Sequence, residues 1–307
     1  MVTGAAGFIG RALCRSLAEL GHAILGLTRA ATEPIPGVEL RPFGDIGPLT
    51  DWSDPLAGVD IVIHLANRAH RRAKDAVAAR EAEAAAALAH AAARAGARRL
   101  VHMSSVRAMG EATRPGAPFR AGAPPRPRAP YGHSKLAIEL ALAGAARASG
   151  LELVILRPPL VYGPGVKANF RALIRLAASG LPLPLAAIDN RRSLIFLDNL
   201  IDLAICVCDH PAAPGRIWLA RDAVDLSIGE VIGALAAGLG RRARLFAVPP
   251  ALFIPLRVLP ALGPLVARLT LSLQVDDTAT RDTLGWAPAI VPEEGLAAAA
   301  RDFRRER

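Results

Sequence analysis

The sequence is poor in cysteine and in aromatic residues. Its 307 residues include three cysteines, at positions 14, 206 and 208, which suit neither a disulfide framework nor a metal site. We therefore predict no bound metal. Aromatic side chains make up 4% of the residues, and no stretch interleaves them with basic residues as nucleic-acid-binding surfaces do. The net charge of +10 then indicates an arginine-rich protein that prefers anionic substrates, with no nucleic acid expected as a partner.

Long apolar runs are also missing, although the mean hydropathy is +0.31. The most apolar stretch, residues 245–273, is interrupted by five prolines and two arginines, so it never reaches the roughly 20 residues that span a bilayer. We predict packed helices there and no integral membrane segment; loose membrane association is the alternative. The chain opens directly on a glycine motif without a signal peptide, which together with the cysteine usage predicts a cytoplasmic protein.

The first ten residues contain a glycine-rich turn. An apolar triplet is followed by glycines at 4, 7 and 10 and by an amphipathic run over residues 8–20. Such glycines permit a tight turn, close approach to a phosphate and close packing of helix on strand, with the helix N-terminus directed at the anion. A plain strand–turn–helix connection is the alternative, but the turn heads a βαβ pattern, which favours a dinucleotide site. Its predicted residues are Gly4, Gly7, Phe8, Ile9 and Gly10.

A second motif is the run Tyr-Gly-His-Ser-Lys at residues 131–135. Because residues 134–148 have a helical pattern, the phenol of Tyr131 and the ammonium of Lys135 fall one turn apart on the same face. An unperturbed phenol has a pKa of about 10. A fixed positive charge favours the phenolate, so we expect Lys135 to lower the pKa of Tyr131 and make the pair a candidate acid/base. The same spacing also occurs on solvated helix faces.

Together, the two motifs resemble the extended short-chain dehydrogenase/reductases, a family that includes nucleotide-sugar epimerases, dehydratases and ketoreductases. The resemblance runs through nearly the whole chain. It implies an α/β fold with a doubly wound parallel (Rossmann) sheet that binds NAD(P) at residues 1–165, and a smaller nucleotide-sugar-binding lobe at residues 166–307, with some chain exchanged between the two. It also implies a homodimer that packs through the helices at 71–95 and 131–149.

The loops after the next predicted strands indicate the cofactor. An acidic residue after the second strand would bind the ribose 2′-hydroxyl of NAD, whereas an arginine accommodates the 2′-phosphate of NADP. This chain has Arg29 and no acid nearby, which slightly favours NADP over NAD; an exposed loop arginine is the alternative. The resemblance places Asp45 and Ile46 beside the adenine. A continuous apolar strand at residues 60–66 adds Leu65, Ala66 and Asn67 at its carboxyl end.

Other candidates stand at the ends of later elements. His70 is a loop residue and a further candidate for substrate contact, and the strand that begins at Arg99 ends in two serines. The resemblance matches Ser105 to the family's catalytic hydroxyl and implies that Val106 contacts the substrate. Dehydratases follow that hydroxyl with Asp-Glu, whereas this chain has Val-Arg, which argues against dehydration. Glu81 falls where the family has an asparagine that helps to hold an active-site water, a departure that affects the family's proton relay.

The remaining candidates lie around and within the second lobe. The resemblance implies that Pro158 walls the nicotinamide ring, and that Asn169 and Arg192 hold a nucleotide diphosphate. A guanidinium suits phosphate oxygens because it is planar and always charged. For Asn169 and Arg192 an ordinary surface role is the alternative. Arg268 is a further candidate phosphate ligand, on its distance from Asp276 along the sequence. A Pro/Gly/Arg-rich loop at residues 111–130 should lie over the mouth of the site.

The resemblance implies a hydride transfer at C4 of a nucleotide-activated sugar, and three functions remain open. The favoured one is 4-keto reduction of a UDP-sugar, in which Tyr131 moves the proton, Ser105 orients the sugar oxygen and Lys135 holds the nicotinamide ribose. The second is a UDP-hexose 4-epimerase that retains NAD. A non-catalytic NAD(P)-binding sensor or scaffold on the same fold is the third, since the first predicted strand is short and Glu81 departs from the family pattern.

Overall fold

A computed structural model of the chain describes residues 1–67, 75–259 and 262–306. His70 and the first residues of the helix predicted at 71–95 lie outside these ranges. The strands are β1 (Val2–Thr3), β2 (Ile24–Thr28), β3 (Val38–Pro42), β4 (Ile61–His64), β5 (Arg99–Met103), β6 (Glu152–Arg157), β7 (Leu160–Tyr162), β8 (Leu194–Phe196) and β9 (Arg216–Leu219). The helices are α1 (Phe8–Glu19), α2 (Asp75–Arg94), α3 (Pro130–Ser149), α4 (Ala168–Ala178), α5 (Leu197–Asp209), α6 (Ile228–Gly238), α7 (Gly263–Thr270), α8 (Thr278–Leu284) and α9 (Pro292–Arg305). Short 3₁₀ turns cover Val106–Ala108, Pro250–Phe253 and Pro255–Val258.

Within the described part of the chain, seven parallel strands form the main sheet in the order β3-β2-β1-β4-β5-β6-β9. Strands β4, β5 and β6 are almost wholly buried, as their unbroken apolar runs predict. Strand β1 is two residues long, and both residues pair with β2 on one side and β4 on the other. The strand order reverses between β1 and β4, which opens a ligand-binding crevice at their carboxyl ends. The predicted doubly wound α/β sheet is confirmed.

Helices cover both faces of this sheet. Helices α1 and α5 contribute Leu13 and Leu200 to one apolar core, and α2 and α3 contribute Leu88 and Leu142 to the other. Each of these leucines is 0% exposed, and burial of one such side chain contributes about 1.5–3 kcal/mol. The two cores fix the positions of the strand ends, and therefore of the loops that form the site.

The second lobe is built on the two-stranded parallel sheet of β7 and β8 together with α4, α6 and α9. Phe170, Ile174, Leu235 and Leu296 form its core. After residue 166 the chain returns to the main sheet, because α5 packs against that sheet and β9 pairs with β6 at its edge. Residues 1–165 thus supply six strands of the main sheet, and the later part of the chain supplies the seventh.

The loop that leads to Tyr131, residues 111–130, is irregular up to the start of α3, as its proline and glycine content predicts. It is nevertheless hydrogen-bonded to the second lobe. The Phe119 amide donates to the Gln274 carbonyl at 2.9 Å, and the Asp276 amide donates to the Phe119 carbonyl at 2.8 Å. These bonds join the two lobes on the approach to α3.

The cysteines are free thiols. Burial raises the pKa of Cys14 to about 11 and that of Cys208 to about 12, so neither is a reactive thiolate. Within the described ranges, no group of three or more His, Cys, Asp or Glu side chains could hold a metal ion. None of the described helices combines the length and the apolar character needed to cross a lipid bilayer.

Candidate functional site

A cavity of about 370 Å³ lies at the carboxyl ends of β1, β2 and β4, where the strand order reverses. Its walls come from the glycine turn, the ends of these strands, the loop after β3 and helix α2. The predicted cofactor residues that line it are Gly4, Gly7, Arg29, Asp45, Ile46, Leu65, Ala66 and Asn67. The fold therefore brings four separate stretches of the sequence together around one crevice.

The glycine turn directs the N-terminus of α1 towards this cavity. A Cβ built on Gly10 would lie 2.2 Å from the Gly4 carbonyl oxygen, so any side chain there would push the helix off the turn. No side chain caps the first turn of α1, and no acidic residue lies in it. The positive end of the helix dipole is thus available to an anion, and the cradle fits the pyrophosphate of a dinucleotide.

Phe8 and Ile9 are two further residues that the sequence predicts to contact the cofactor. Their side chains pack against the hydrophobic cores and do not line the cavity. Only their backbone, in the first turn of α1, is placed to face an anion at the helix N-terminus. The side chains are therefore structural, and the cofactor contact expected of Phe8 and Ile9 stays a prediction for their backbone amides.

Arg29 and Asp45 form a salt bridge at the rim of the cavity. The Arg29 Nε lies 3.0 Å from Asp45 Oδ1, and the two side chains are 69% and 56% exposed. The nearest acid in the sequence is Glu33, four positions after Arg29, whereas its partner Asp45 is 16 positions away and reaches it through the pairing of β2 with β3. The carboxylate offsets the guanidinium charge that a 2′-phosphate would use, so the argument for NADP is weaker than the sequence suggests.

Ser105 and Tyr131 meet because α3 packs closely on the 3₁₀ turn Val106–Ala108. A Cβ built on Gly132 would lie 2.4 Å from the Arg107 carbonyl oxygen, so this approach requires glycine. The Ser105 hydroxyl lies near enough to Tyr131 to lower the pKa of the phenol, and its Oγ accepts a hydrogen bond from the Arg107 amide at 3.2 Å. Ser104 is buried and donates to Glu139 instead. Of the two serines, Ser105 is the one placed beside the phenol.

The charges around Tyr131 differ from the predicted ones. Burial raises the pKa of Tyr131, while the Ser105 hydrogen bond and the Arg107 charge lower it and Glu81 raises it further. The predicted lowering by Lys135 does not appear among these causes, because the Lys135 ammonium donates to the Met103 carbonyl at 2.9 Å. Burial lowers the pKa of Lys135 to about 8, against the opposing charges of Glu139 and Glu81. Lys135 is therefore a buried, readily titrated ammonium.

Glu81 does lie at the site, as the sequence register predicts. It lines the cavity, and its Oε2 accepts a hydrogen bond from the Ser134 hydroxyl at 3.0 Å. Its charge raises the pKa of both Tyr131 and Lys135. A carboxylate thus occupies the place at which the family resemblance implies an amide.

A cluster of cations joins the first domain to the second lobe. Arg268 donates from Nη1 to Asn169 Oδ1 at 3.0 Å, and Arg192 donates to the Arg268 carbonyl at 2.9 Å. Burial lowers the pKa of Arg192 to about 10, and the charges of Arg107 and Arg268 lower it further. The cluster thus consists of Arg107, Arg192 and Arg268, and within the described ranges no carboxylate forms a salt bridge with any of the three guanidiniums. Three adjacent positive charges with a nearby amide suit a diphosphate.

Arg107 is the residue that the sequence analysis missed. It appears there only as a departure from the dehydratase pattern. In the structure its charge lowers the pKa of both Tyr131 and Arg192, and the charge of Arg268 lowers the pKa of Arg107. Its Nη1 donates to the Glu111 carbonyl at 3.3 Å. Its position two residues after Ser105, on the same 3₁₀ turn, was the available clue.

Val106 and Pro158 support the site and do not line the cavity. The Val106 amide donates to the Pro158 carbonyl at 2.9 Å, which ties the segment after β5 to the segment after β6. The Val106 side chain is 2% exposed and packs with Leu273 and Val275. The Val106 side chain therefore belongs to the core between the lobes, and the substrate contact expected of Val106 stays a prediction that only its backbone is placed to meet.

Comparison with known proteins agrees with this geometry. Residues 1–220 match the model of the NAD dependent epimerase/dehydratase family. A UDP-glucose 4-epimerase of Vibrio cholerae is 37% identical over 311 residues, covering 99% of this chain and 94% of the relative. The structure of MoeE5 in complex with UDP-glucose and NAD is 25% identical, with a TM-score of 0.77, and the match covers 99% of this chain and 98% of MoeE5.

A third comparison shows the fold alone. The UDP-glucuronic acid 4-epimerase from Bacillus cereus, in complex with NAD, has a TM-score of 0.80 at 21% identity, and the match covers 99% of this chain and 98% of that enzyme. The family model covers more than two thirds of the sequence, and the Vibrio cholerae relative covers nearly all of it. The chain therefore belongs to the NAD dependent epimerase/dehydratase family, whose members are NAD-dependent enzymes of the extended short-chain dehydrogenase/reductase type.

Proposed function

We propose that the protein is an NAD-dependent UDP-hexose 4-epimerase. The observation that carries the proposal is the position of Arg107, which places the Ser105 and Tyr131 hydroxyls next to a cluster of guanidiniums that suits a diphosphate. The dinucleotide cavity adjoins the same hydroxyls, because Glu81 lines it and acts on Tyr131. The Vibrio cholerae relative, named as a UDP-glucose 4-epimerase, supports the choice of reaction.

The cofactor would be held by groups that the structure places around the cavity. The α1 N-terminus and the turn at Gly4 and Gly7 would bind the pyrophosphate, and Arg29 with Asp45 would face the adenosine end. Lys135 would bind the nicotinamide ribose. When bound, NAD would supply the hydride acceptor and donor for the sugar C4.

Tyr131 would handle the proton of the same step. Its phenolate oxygen would take the proton from the sugar 4-hydroxyl during oxidation and return it during reduction, while the Ser105 hydroxyl orients the sugar oxygen. Burial raises the pKa of Tyr131 and opposes the phenolate that starts the cycle, whereas the neighbouring Arg107 charge lowers this pKa and favours the phenolate. The proton thus stays on groups of this chain through both halves of the reaction.

Epimerisation requires the 4-keto sugar to present its other face between the two halves. A diphosphate held by Arg107, Arg192 and Arg268, with Asn169 beside them, would remain anchored while the hexose turns about its linkage to the phosphate. An anchor built on charge, and remote from the ring, permits this rotation without release of the intermediate. The cation cluster therefore suits an epimerase as well as a reductase.

Conversion of UDP-glucose tests the proposal. Purified protein, supplied with NAD but with no reduced cofactor, is expected to convert UDP-glucose to UDP-galactose and to approach the same ratio from either sugar. The measurement is the ratio of the two sugars by chromatography or NMR. Failure to interconvert them, with stoichiometric oxidation of NADPH in the presence of a UDP-4-keto-hexose, would contradict the proposal and support the second candidate.

That second candidate is 4-keto reduction, which the sequence favours because of Arg29. The side chain does line the cavity, and a 2′-phosphate could compete with Asp45 for it. We place this function second because the salt bridge with Asp45 offsets the Arg29 charge on which the preference for NADP rests. A non-catalytic NAD(P) sensor stays the third: it requires dinucleotide binding in thermal-shift assays with neither reaction detectable.

Glu81→Gln should move the pH profile of kcat to lower pH. The Glu81 carboxylate raises the pKa of both Tyr131 and Lys135. Without that charge the phenol loses its proton at lower pH, so the acidic limb of the profile shifts to lower pH. The ammonium also loses its proton at lower pH, so the alkaline limb moves the same way. Initial rates of epimerisation from pH 5 to 10 measure both limbs.

Glu83→Gln is the matched control for this change, since Glu83 lies on the same helix and is exposed. Its pH profile should coincide with that of the unmodified protein. If the Glu81→Gln profile coincides with it as well, Glu81 does not act electrostatically on the acid/base, and the assignment is wrong.

We also propose that the protein is a cytoplasmic homodimer. The homodimer implied by the family would pack through α2 and α3, and Leu140 on α3 is 65% exposed, as an interface residue would be in an isolated chain. Sedimentation velocity that shows only monomer at micromolar concentration would remove this part. The free thiols suit a reducing compartment such as the cytoplasm.

A further inference from the structure

The segment between α6 and α8 displays an apolar surface that no other part of the described chain matches. Eight of the fourteen large hydrophobic side chains that are exposed among the described residues belong to it. They are Phe246, Leu252, Ile254, Leu256, Val258, Leu259, Leu262 and Leu265. Isolated exposed apolar residues are normal, but a concentration of them in one segment marks an interaction surface. We call these eight side chains the apolar patch.

The apolar patch is held on an ordered support. Two 3₁₀ turns and helix α7 present it, while Phe253 and Leu269 from the same elements pack into the core of the second lobe. Hydrogen bonds fasten both ends: the Leu183 amide donates to the Arg244 carbonyl at 2.8 Å, and the Asn190 side chain donates to the Leu269 carbonyl at 3.2 Å. The exposed side chains are therefore the outward-facing ones of a docked segment.

The stretch of sequence that carries the apolar patch contains charges of one sign. From residue 231 to residue 275 the sequence contains no Asp or Glu, and it contains arginines at 241, 242, 244, 257 and 268. Those five charges are half of the net charge of +10 of the whole chain. Arg241, Arg242 and Arg244 are exposed on the irregular stretch that leads to the patch. Apolar side chains accompanied only by cations are the composition of surfaces that enter the interface of an anionic bilayer.

We propose that this segment docks the protein on the surface of an anionic lipid bilayer. The apolar patch would enter the boundary between headgroups and acyl chains, and the exposed Arg241, Arg242 and Arg244 would contact lipid phosphates. A second copy of the chain is a poorer occupant, because an isologous contact would bring the same acid-free arginines against each other. The proposal concerns peripheral binding alone and does not depend on which reaction the enzyme catalyses.

Vesicle co-sedimentation of the full chain tests the proposal. The protein is expected to pellet with vesicles that contain phosphatidylglycerol, and to pellet less with pure phosphatidylcholine. Raising the salt concentration from 0.1 M to 1 M should weaken the binding, since the charge contribution is screened. Protein that stays in the supernatant with phosphatidylglycerol vesicles at low salt would overturn the proposal.

Two variants assign the binding to this segment. The triple variant Leu252→Asp, Ile254→Asp, Val258→Asp should reduce the vesicle partition coefficient by more than about tenfold. The double variant Arg242→Gln, Arg244→Gln should reduce the partition coefficient for phosphatidylglycerol vesicles but not for phosphatidylcholine vesicles. Neither variant touches the site, so epimerase activity in solution and thermal stability should be unchanged. Leu49→Asp is the matched control, because Leu49 is 98% exposed in the first domain. Its partition coefficient should equal that of the unmodified protein.

Self-association gives the opposing result. If the unmodified protein forms larger assemblies in sedimentation velocity without lipid, and the triple variant abolishes them, the apolar patch is an interface between copies and the proposal is wrong. Vesicle binding that the triple variant retains in full would also contradict it, because the lipid contact would then lie elsewhere.

Discussion

Tyr131→Phe is expected to lower kcat for UDP-glucose epimerisation by about 10²–10⁴-fold, the usual contribution of a positioned acid/base. The change removes one oxygen and keeps the ring, so the packing of α3 on the 3₁₀ turn at Val106–Ala108 should persist. Ser105 cannot replace the phenol, because its Oγ already accepts from the Arg107 amide and its ordinary acidity is far lower. NAD binding, measured by thermal shift, should remain within about twofold, since the pyrophosphate cradle is untouched.

The chain supplies its own control for this experiment, because it contains two tyrosines. Tyr162 is buried, and its hydroxyl donates to Asp222 at 2.7 Å in the second lobe. Tyr162→Phe removes the same atom from a structural hydrogen bond, so it should lower the free energy of unfolding by about 1–3 kcal/mol and leave kcat near that of the unmodified protein at temperatures where both are folded. A Tyr131→Phe protein that keeps more than a tenth of its kcat would show that another group moves the proton.

The fold is predictable from the sequence because its signals are local. The glycines at 4, 7 and 10 and the unbroken apolar runs at β4, β5 and β6 each specify an element and its burial without reference to distant residues. Asn169, Arg192 and Arg268, taken singly, are ordinary polar residues. The family resemblance suggests a phosphate role for them, and the structure adds that they are neighbours of one another.

The remaining features of the site depend on contacts that no local pattern encodes. Lys135 lies one helical turn from Tyr131, as the spacing predicts, but the direction of its side chain is set by a carbonyl at the end of β5. Asp45 reaches Arg29 only through strand pairing, and its charge weakens the argument for NADP. Arg107 acquires its place because Gly132 lets α3 approach the preceding turn. Each correction thus comes from tertiary packing.

A buried ion pair beneath the site is another such contact. The Arg157 Nε donates to Glu139 at 3.0 Å and 3.2 Å, and both side chains are 3% exposed. Glu139 also accepts a hydrogen bond from Ser104, and it lies one helical turn after Lys135, whose pKa its charge raises. The pair therefore joins the ends of β5 and β6 to helix α3. A buried pair contributes little net free energy relative to apolar residues, but each member depends strongly on the other.

Glu139→Ala should lower the free energy of unfolding by about 3–5 kcal/mol, because it leaves the Arg157 guanidinium buried without its counter-charge. Urea denaturation at pH 7 measures the loss. Replacing both members, as in Glu139→Leu with Arg157→Met, should recover most of it, since no unpaired charge then remains in the core. Asp209→Ala, which breaks the exposed pair with Arg98, is the control and should cost less than about 1 kcal/mol. Equal losses for Glu139→Ala and Asp209→Ala would mean that water or a shifted side chain compensates Arg157, and that the strand ends holding Ser105 are not fixed by this pair.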